Sequence, residues 1–267
     1  MTESNDNNVE KAVVGLVTES ARPLSLSIGQ SLTDIYFGLV GSRTQTYASN
    51  RMAAEMMKRD QFVKDLVTKS ENIDDKDLKE PEMHIIGPAI EATKFYMDND
   101  ALKQMFEELI LSSMQISKAK HVHPSFVEII KQLSPLDAAN LSFFKKSHAL
   151  PIANYRLSTS KNDGSVDLQT NVFLSNPSQS DIDLQASSIT NLNRVGLISL
   201  NYTSSILDQN VYNDFNKTEL FLHYEKLLSL DEEAKPEILK RFVRITCTHG
   251  IAKLTPFGED FVKIVLK

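Results

Sequence analysis

Apolar residues recur at helical spacing through the first half of the chain. Ile28, Leu32, Ile35, Tyr36 and Leu39 share one stripe within residues 23–42. Met52, Met56, Val63, Leu66 and Val67 form a second over residues 47–69, with Lys58, Asp60 and Lys64 outside it. Ile86, Ala89, Ile90, Thr93 and Met97 form a third. The cleanest period is Leu102, Met105, Phe106, Leu109, Ile110 and Ser113, with Asp98 or Asn99 placed to cap it. Residues 71–81 are charged and patternless, and predict a solvated linker.

A sharp corner follows. Pro124 opens one short helix, where its missing N–H costs nothing. In Ser134-Pro135-Leu136-Asp137, Ser134 caps a second helix, Pro135 starts it, and Asp137 takes the place of a capping-box acid. The domain boundary is expected near residue 134. Beyond it the period shortens. Residues 151–158 and 166–174 alternate as strands around Asp163-Gly164, which predicts a β-hairpin over about 151–174. A helix starting at Asp181 carries Leu184, Ile189, Leu192 and Val195 inward and stops at Gly196. Residues 197–200 read as a strand, 203–240 as a mostly helical insertion, and 242–248 as a strand that turns at His249-Gly250 and returns through 251–254. Thr255-Pro256 caps the last helix.

The expected fold is therefore mainly α with a small β component. A polar N-terminal segment (1–22) precedes an N-terminal helical domain (23–133), and a winged-helix-like α+β domain (134–267) follows. The helix ending at Arg194 stands where a recognition helix would, and the strands after it stand where wing strands would. The insertion at 203–240 is too long for an ordinary wing.

Composition fits this reading. Nine glycines and nine prolines in 267 residues are about half the usual share, and 41% hydrophobic residues exclude a disordered chain. The single cysteine, Cys247, excludes an intrachain disulfide and suits a reducing, cytoplasmic setting. Residues 1–10 are polar and acidic, unlike a secretory signal. Residues 23–42 are long enough to span a bilayer but contain Asp34 and only nine large apolar residues. Asp at mid-span costs ~3 kcal/mol while each Leu returns about 0.5. A buried amphipathic helix accounts for this segment better than membrane-surface association, and a transmembrane span is not expected.

The run His123-Pro124-Ser125-Phe126-Val127-Glu128-Ile129-Ile130-Lys131-Gln132-Leu133-Ser134-Pro135-Leu136-Asp137-Ala138 resembles the signature of the abortive infection alpha family, prokaryotic proteins linked to phage resistance. Ile86-Gly87-Pro88-Ala89-Ile90-Glu91-Ala92 looks like that family's central helix start, and Leu254-Thr255-Pro256-Phe257-Gly258-Glu259-Asp260-Phe261 like its terminal motif. The resemblance implies a defence context. It carries no catalytic residues to transfer.

No phosphate-binding glycine loop, zinc-protease motif or nucleophile elbow occurs. His121 and His123 lack a third ligand in the neighbouring turn, and Cys247 and His249 lack an orienting partner, so no catalytic, cofactor or metal site is expected. The nucleic-acid or partner-binding candidates are Asn191 and Arg194 on the helix and Lys240, Arg241 and Arg244 ahead of the last strand. The electrostatic case for DNA is thin. The net charge is −6, and from Asp181 onward 12 acids face 10 bases. Three readings follow in order. The first is a non-enzymatic defence component acting through a protein partner or self-association. The second is a DNA-binding regulator, and the third is a membrane-perturbing effector using residues 23–42.

Overall fold

Leu32 and Tyr36, one turn apart, show how the first stripe is used. Both are buried, and the Tyr36 ring lies 6.2 Å from that of Phe62. The computed structural model describes residues 24–40, 49–80, 82–159 and 164–267. The polar segment at 1–22, Lys161 to Asp163 of the hairpin turn, and the side chains of Ile28, Leu39, Met52 and Met56 lie outside the described residues. The described chain is mainly helical, with one four-stranded sheet after the N-terminal helices. None of its described helices is long and apolar enough to cross a membrane.

The chain divides into two compact units. One holds the described residues up to Met97 together with Ile110–Lys120. Its helices are α1 (Leu24–Val40), α2 (Ser49–Glu71), α3 (Met83–Thr93), the end of α4 (Asp100–Ser113) and the short α5 (Ile116–Ala119). Helix α1 packs on α2 and α3, which supply Phe62, Val63 and Leu66 and then Ile85, Ile86, Ala89 and Ile90 to the core.

Two expectations are corrected in this unit. Helix α3 starts at Met83 and carries Pro88 inside it, so Gly87-Pro88 does not mark its start; the proline removes one backbone donor and the helix continues. The charged stretch at 71–81 is also not a free linker. Leu78 is buried and bridges to Gln115, and the Asp77 carboxylate accepts from the Ser117 N–H (2.8 Å) and hydroxyl (2.7 Å). One apolar residue among the charges anchors it.

The other unit holds Asp98–Leu109 together with His121–Lys267. Asn99 caps α4, accepting from the Leu102 N–H at 3.2 Å. Helices α6 (Ser125–Lys131) and α7 (Pro135–Lys146) meet at Ser134. There Asp137 N–H donates to Ser134 Oγ (3.1 Å) and Ser134 N–H donates to Asp137 Oδ2 (2.7 Å), a reciprocal capping box. Strands β1 (Ala149–Thr159) and β2 (Ser165–Val172) pair antiparallel. Then come α8 (Ile182–Arg194), β3 (Ile198–Asn201), α9 (Glu219–Leu228), β4 (Phe242–Leu254) and α10 (Pro256–Val265). The strand order is β2-β1-β4-β3.

Strand β4 corrects the expected turn at His249-Gly250. It runs unbroken, with Gly250 opposite Ile152 and His249 opposite Ala153. Glycine stands there because a Cβ would meet the Tyr202 ring at 2.5 Å and the Asn201 carbonyl oxygen at 2.8 Å. A close approach, not a reversal, requires it. Strand β3 pairs with residues 251–254 on one edge of β4, while β1 pairs along residues 242–253 on the other.

The insertion folds back on the sheet. Ala153 and Tyr155 of β1 pack with Tyr212, Phe215 and Phe221, and Leu157 packs with Leu228, Leu239 and Phe242. The Tyr155 hydroxyl donates to the Phe215 carbonyl, and burial pushes its phenol up to about 12. Much of this segment is short 3-10 turns (Gln209–Tyr212, Phe215–Lys217, Glu237–Leu239) around α9.

Candidate functional site

Helix α8 is well specified at both ends. Asp181 caps it by accepting from the N–H groups of Asp183 (2.9 Å) and Leu184 (3.1 Å). Gly196, at φ +78°, ends it in the left-handed conformation that glycine adopts without penalty. Along one face lie Gln185, Ser188 and Asn191, three residues apart, which is the spacing of a helical stripe. A helix that reads DNA turns such residues toward solvent. Here they turn toward α7.

Asn140 of α7, fully buried, donates to Gln185 Oε1 (2.8 Å) and Ser188 Oγ (2.9 Å) and accepts from Asn176 Nδ2 (2.7 Å). Gln185 Nε2 donates in turn to the Asn176 carbonyl at 3.1 Å. These buried amides are partnered on both sides, so the network holds α7 and α8 in one register. One turn further on, Asn191 Nδ2 donates to Asp137 Oδ2 and to the Gln132 carbonyl, each at 2.9 Å. Arg194 donates to Asn191 Oδ1 from Nε (3.0 Å) and Nη2 (2.8 Å), and to Gln132 Oε1 from Nη1 (3.0 Å).

The opposite flank is tied as well. Asn171, at φ +57° in a β-bulge, donates its N–H to Asn154 Oδ1 (2.9 Å) and its amide to Thr190 Oγ1 (2.9 Å), and accepts from the Tyr202 hydroxyl (2.7 Å). Burial raises the Tyr202 phenol.

The structure therefore brings Asn191 and Arg194 together, against the α6–α7 corner. Lys240, Arg241 and Arg244 lie elsewhere. Lys240 pairs with Glu237 at 2.6 Å, Arg241 stacks 4.7 Å over the Phe242 ring, and Arg244 faces Ser158 across β1. The end of α8 leads into β3, whose Ile198 sits opposite Leu254. Arg244 is ten residues away along β4, about 33 Å of extended strand. Arg194 and the Lys240, Arg241 and Arg244 group therefore stand on different elements.

An open cleft of about 780 Å³ separates the α6–α7 corner from α8, lined by residues that include Leu133, Pro135, Asp137, Leu184 and Ser187. No local pattern marks this cleft, because its walls come from elements some fifty residues apart, as Asp137 and Asn191 are.

Of the two neighbouring histidines, His121 finds its partner far off in sequence and His123 nearby. His121 Nδ1 lies 2.7 Å from Asp260 Oδ1. His123 bonds Ser125 Oγ at 2.7 Å and its ring packs near Phe126 and Phe257. Cys247 is half-buried, and burial pushes its thiol up to about 11, which suits a packed residue rather than a nucleophile.

Residues 55–265 match the family model described as abortive infection alpha. The chain belongs to the abortive infection alpha family. No curated protein and no solved structure matches it. Within this abortive infection alpha protein the resembling strings have physical roles. Ser134 to Asp137 build the capping box that also receives Asn191. Thr255 caps α10 through the Gly258 N–H (2.9 Å), while its own hydroxyl and N–H donate to the carbonyls of Gly196 (2.6 Å) and Leu197 (3.0 Å). The terminal motif thus fastens the turn before α10 to the turn after α8.

Proposed function

We propose that this protein serves abortive-infection defence in the cytoplasm as a non-enzymatic component acting through contacts with a protein partner. Family membership supports the defence context. The observation that carries the mode of action is the inward-facing polar stripe of α8. Gln185, Ser188 and Asn191 are spent on α7 and Asp137, so α8 offers duplex DNA little beyond Ser187, Asn193 and Arg194. Specific duplex binding needs several phosphate contacts besides base-reading side chains, and Lys240, Arg241 and Arg244 stand at or just before the start of β4 rather than on α8.

Several exposed apolar side chains lie in and beside the insertion. Leu207 is 99% exposed and Ile238 74%, with Leu222 and Val243 also in solvent. Apolar groups in such number on one segment suit a protein surface better than a nucleic-acid one.

The test is a phage challenge of bacteria expressing the full chain, paired with duplex binding across a salt series. Leu207→Asp and Ile238→Asp change exposed positions and leave the fold intact, so protection should fall while unfolding midpoints stay put. Salt-dependent duplex binding that Arg194→Ala abolishes would overturn the proposal in favour of DNA regulation.

A further inference from the structure

Helix α9 has two distinct faces. Phe221 and Leu228 are buried, and Leu220, Tyr224 and Leu227 pack into the same clusters against the sheet. The opposite face is the stripe Glu219, Leu222, His223 and Lys226, at helical spacing and exposed throughout, with Leu222 48% in solvent. Its order is acid, leucine, histidine, base. Glu219 and Lys226 lie two turns apart, about 10 Å along the axis, too far to meet each other. Among the described residues neither forms an ion pair. The stripe borders an open cleft of about 1020 Å³, with the start of α8 on its far side and Leu174, Ile182 and Leu220 as its apolar lining. Of the other charges there, Lys217 pairs with Asp214 at 2.9 Å, Asp181 caps α8, and Asp183 adds a second acid.

We propose that α9 pairs, antiparallel and about a two-fold axis, with α9 of a second copy of this chain, seated along this cleft. Glu219 and Lys226 stand symmetrically about the midpoint between Leu222 and His223. An antiparallel pair centred there sets Glu219 of each copy against Lys226 of the other. It also brings Leu222 of each copy onto Leu222 and His223 of the other and over the apolar lining of the cleft. This is the self-complementarity that a two-fold interface requires, residue i meeting j while j meets i. A foreign helix would have to reproduce the same order of acid, leucine and base, whereas a second copy carries it already. The helix has 10 residues, about 15 Å of length, so the contact falls short of a standard interface of about 800 Å² per partner and is a weak, reversible one. The proposal rests on the interaction reading above and names the partner as another copy.

Sedimentation equilibrium of the full chain, from about 10 μM to about 1 mM, should show a reversible monomer–dimer step with a Kd of roughly 0.1 mM. Glu219→Lys and Lys226→Glu each set like charges against each other at both contacts, and each should weaken the step by about tenfold. Mixed in equal amounts, the two variants meet with opposite charges at both contacts, so a heterodimer of near-parental affinity should form. That rescue separates a lost contact from a damaged fold, because mixing repairs no fold. Leu222→Asp, at the centre of the pair, should remove the step. A monomer at the highest concentration, indifference to both charge changes, or no rescue on mixing overturns the pairing. If the chain stays monomeric while Leu207→Asp and Ile238→Asp abolish protection, the pairing falls and the interaction reading stands. If the dimer forms and is rescued while those two variants leave protection intact, the pairing stands and the role given to those two residues falls.

Discussion

Gly258 lies so close to Leu197 that a Cβ added to it would stand 1.9 Å from the Leu197 carbonyl oxygen and 2.8 Å from the carbonyl carbon. The contact is backbone against backbone, so no flexible side chain can yield. It sits inside the clasp formed by Thr255 with Gly196 and Leu197, where the first turn of α10 crosses the chain between α8 and β3. Alanine is a better helix former than glycine by up to about 1 kcal/mol, but here overpacking wins. Gly258→Ala should lower stability by roughly 2 kcal/mol or more, read as a shifted urea midpoint. An unchanged or raised midpoint would mean that the clasp is not rigid.

The Asn191–Arg194 pair separates a structural from a reading role for α8. Asn191→Ala removes a donor from the buried Asp137 carboxylate and another from the Gln132 carbonyl, so it should cost about 1–3 kcal/mol. Arg194 is exposed and bonds only to neutral side-chain oxygens, so Arg194→Ala should cost under about 1 kcal/mol. Equilibrium unfolding of both variants checks the order. If Arg194→Ala proves the more damaging, α8 is held by something other than this network.

What was legible in the sequence was what is local. The apolar stripes of α1 to α4, the reciprocal cap of Ser134 and Asp137, the cap at Asp181 and the stop at Gly196 depend on residues within one or two turns of each other. The misreadings share a cause. Gly250 looks like a turn until Tyr202, 48 positions earlier, is placed against it. The polar stripe of α8 looks like a surface until Asn140, 45 residues before Gln185, arrives to satisfy it. His121 looks unpartnered until α10 brings Asp260 across 139 residues. Sequence periodicity reports which residues share a face. Whether a polar face meets water or another polar face is a tertiary matter, and the clue available here was the helical spacing of Gln185, Ser188 and Asn191 together with an asparagine inside α7.

His249 gives the fold an acid-sensitive point. Its ring lies parallel to that of Tyr212, 4.1 Å between centroids and 5° between planes, and the Tyr212 hydroxyl donates to the neighbouring Gly250 carbonyl at 2.8 Å. Cys247 stands two residues back on the same face of β4, and Ala153 is opposite on β1. No carboxylate is among these neighbours to favour an imidazolium, and burial holds the His249 pKa below its ordinary 6.5. Well above pH 6.5, from about pH 7.5, the ring is neutral in both folded and unfolded chains, and its contribution to stability is fully present. As the pH drops below that value the unfolded chain takes up the proton first, so stability falls until the folded pKa is passed. His249→Phe keeps the stack and removes the titration. Urea midpoints at pH 7.5 and 5.5 should therefore differ less for His249→Phe than for the parent chain. Equal differences in the two proteins would place the acid sensitivity at other groups.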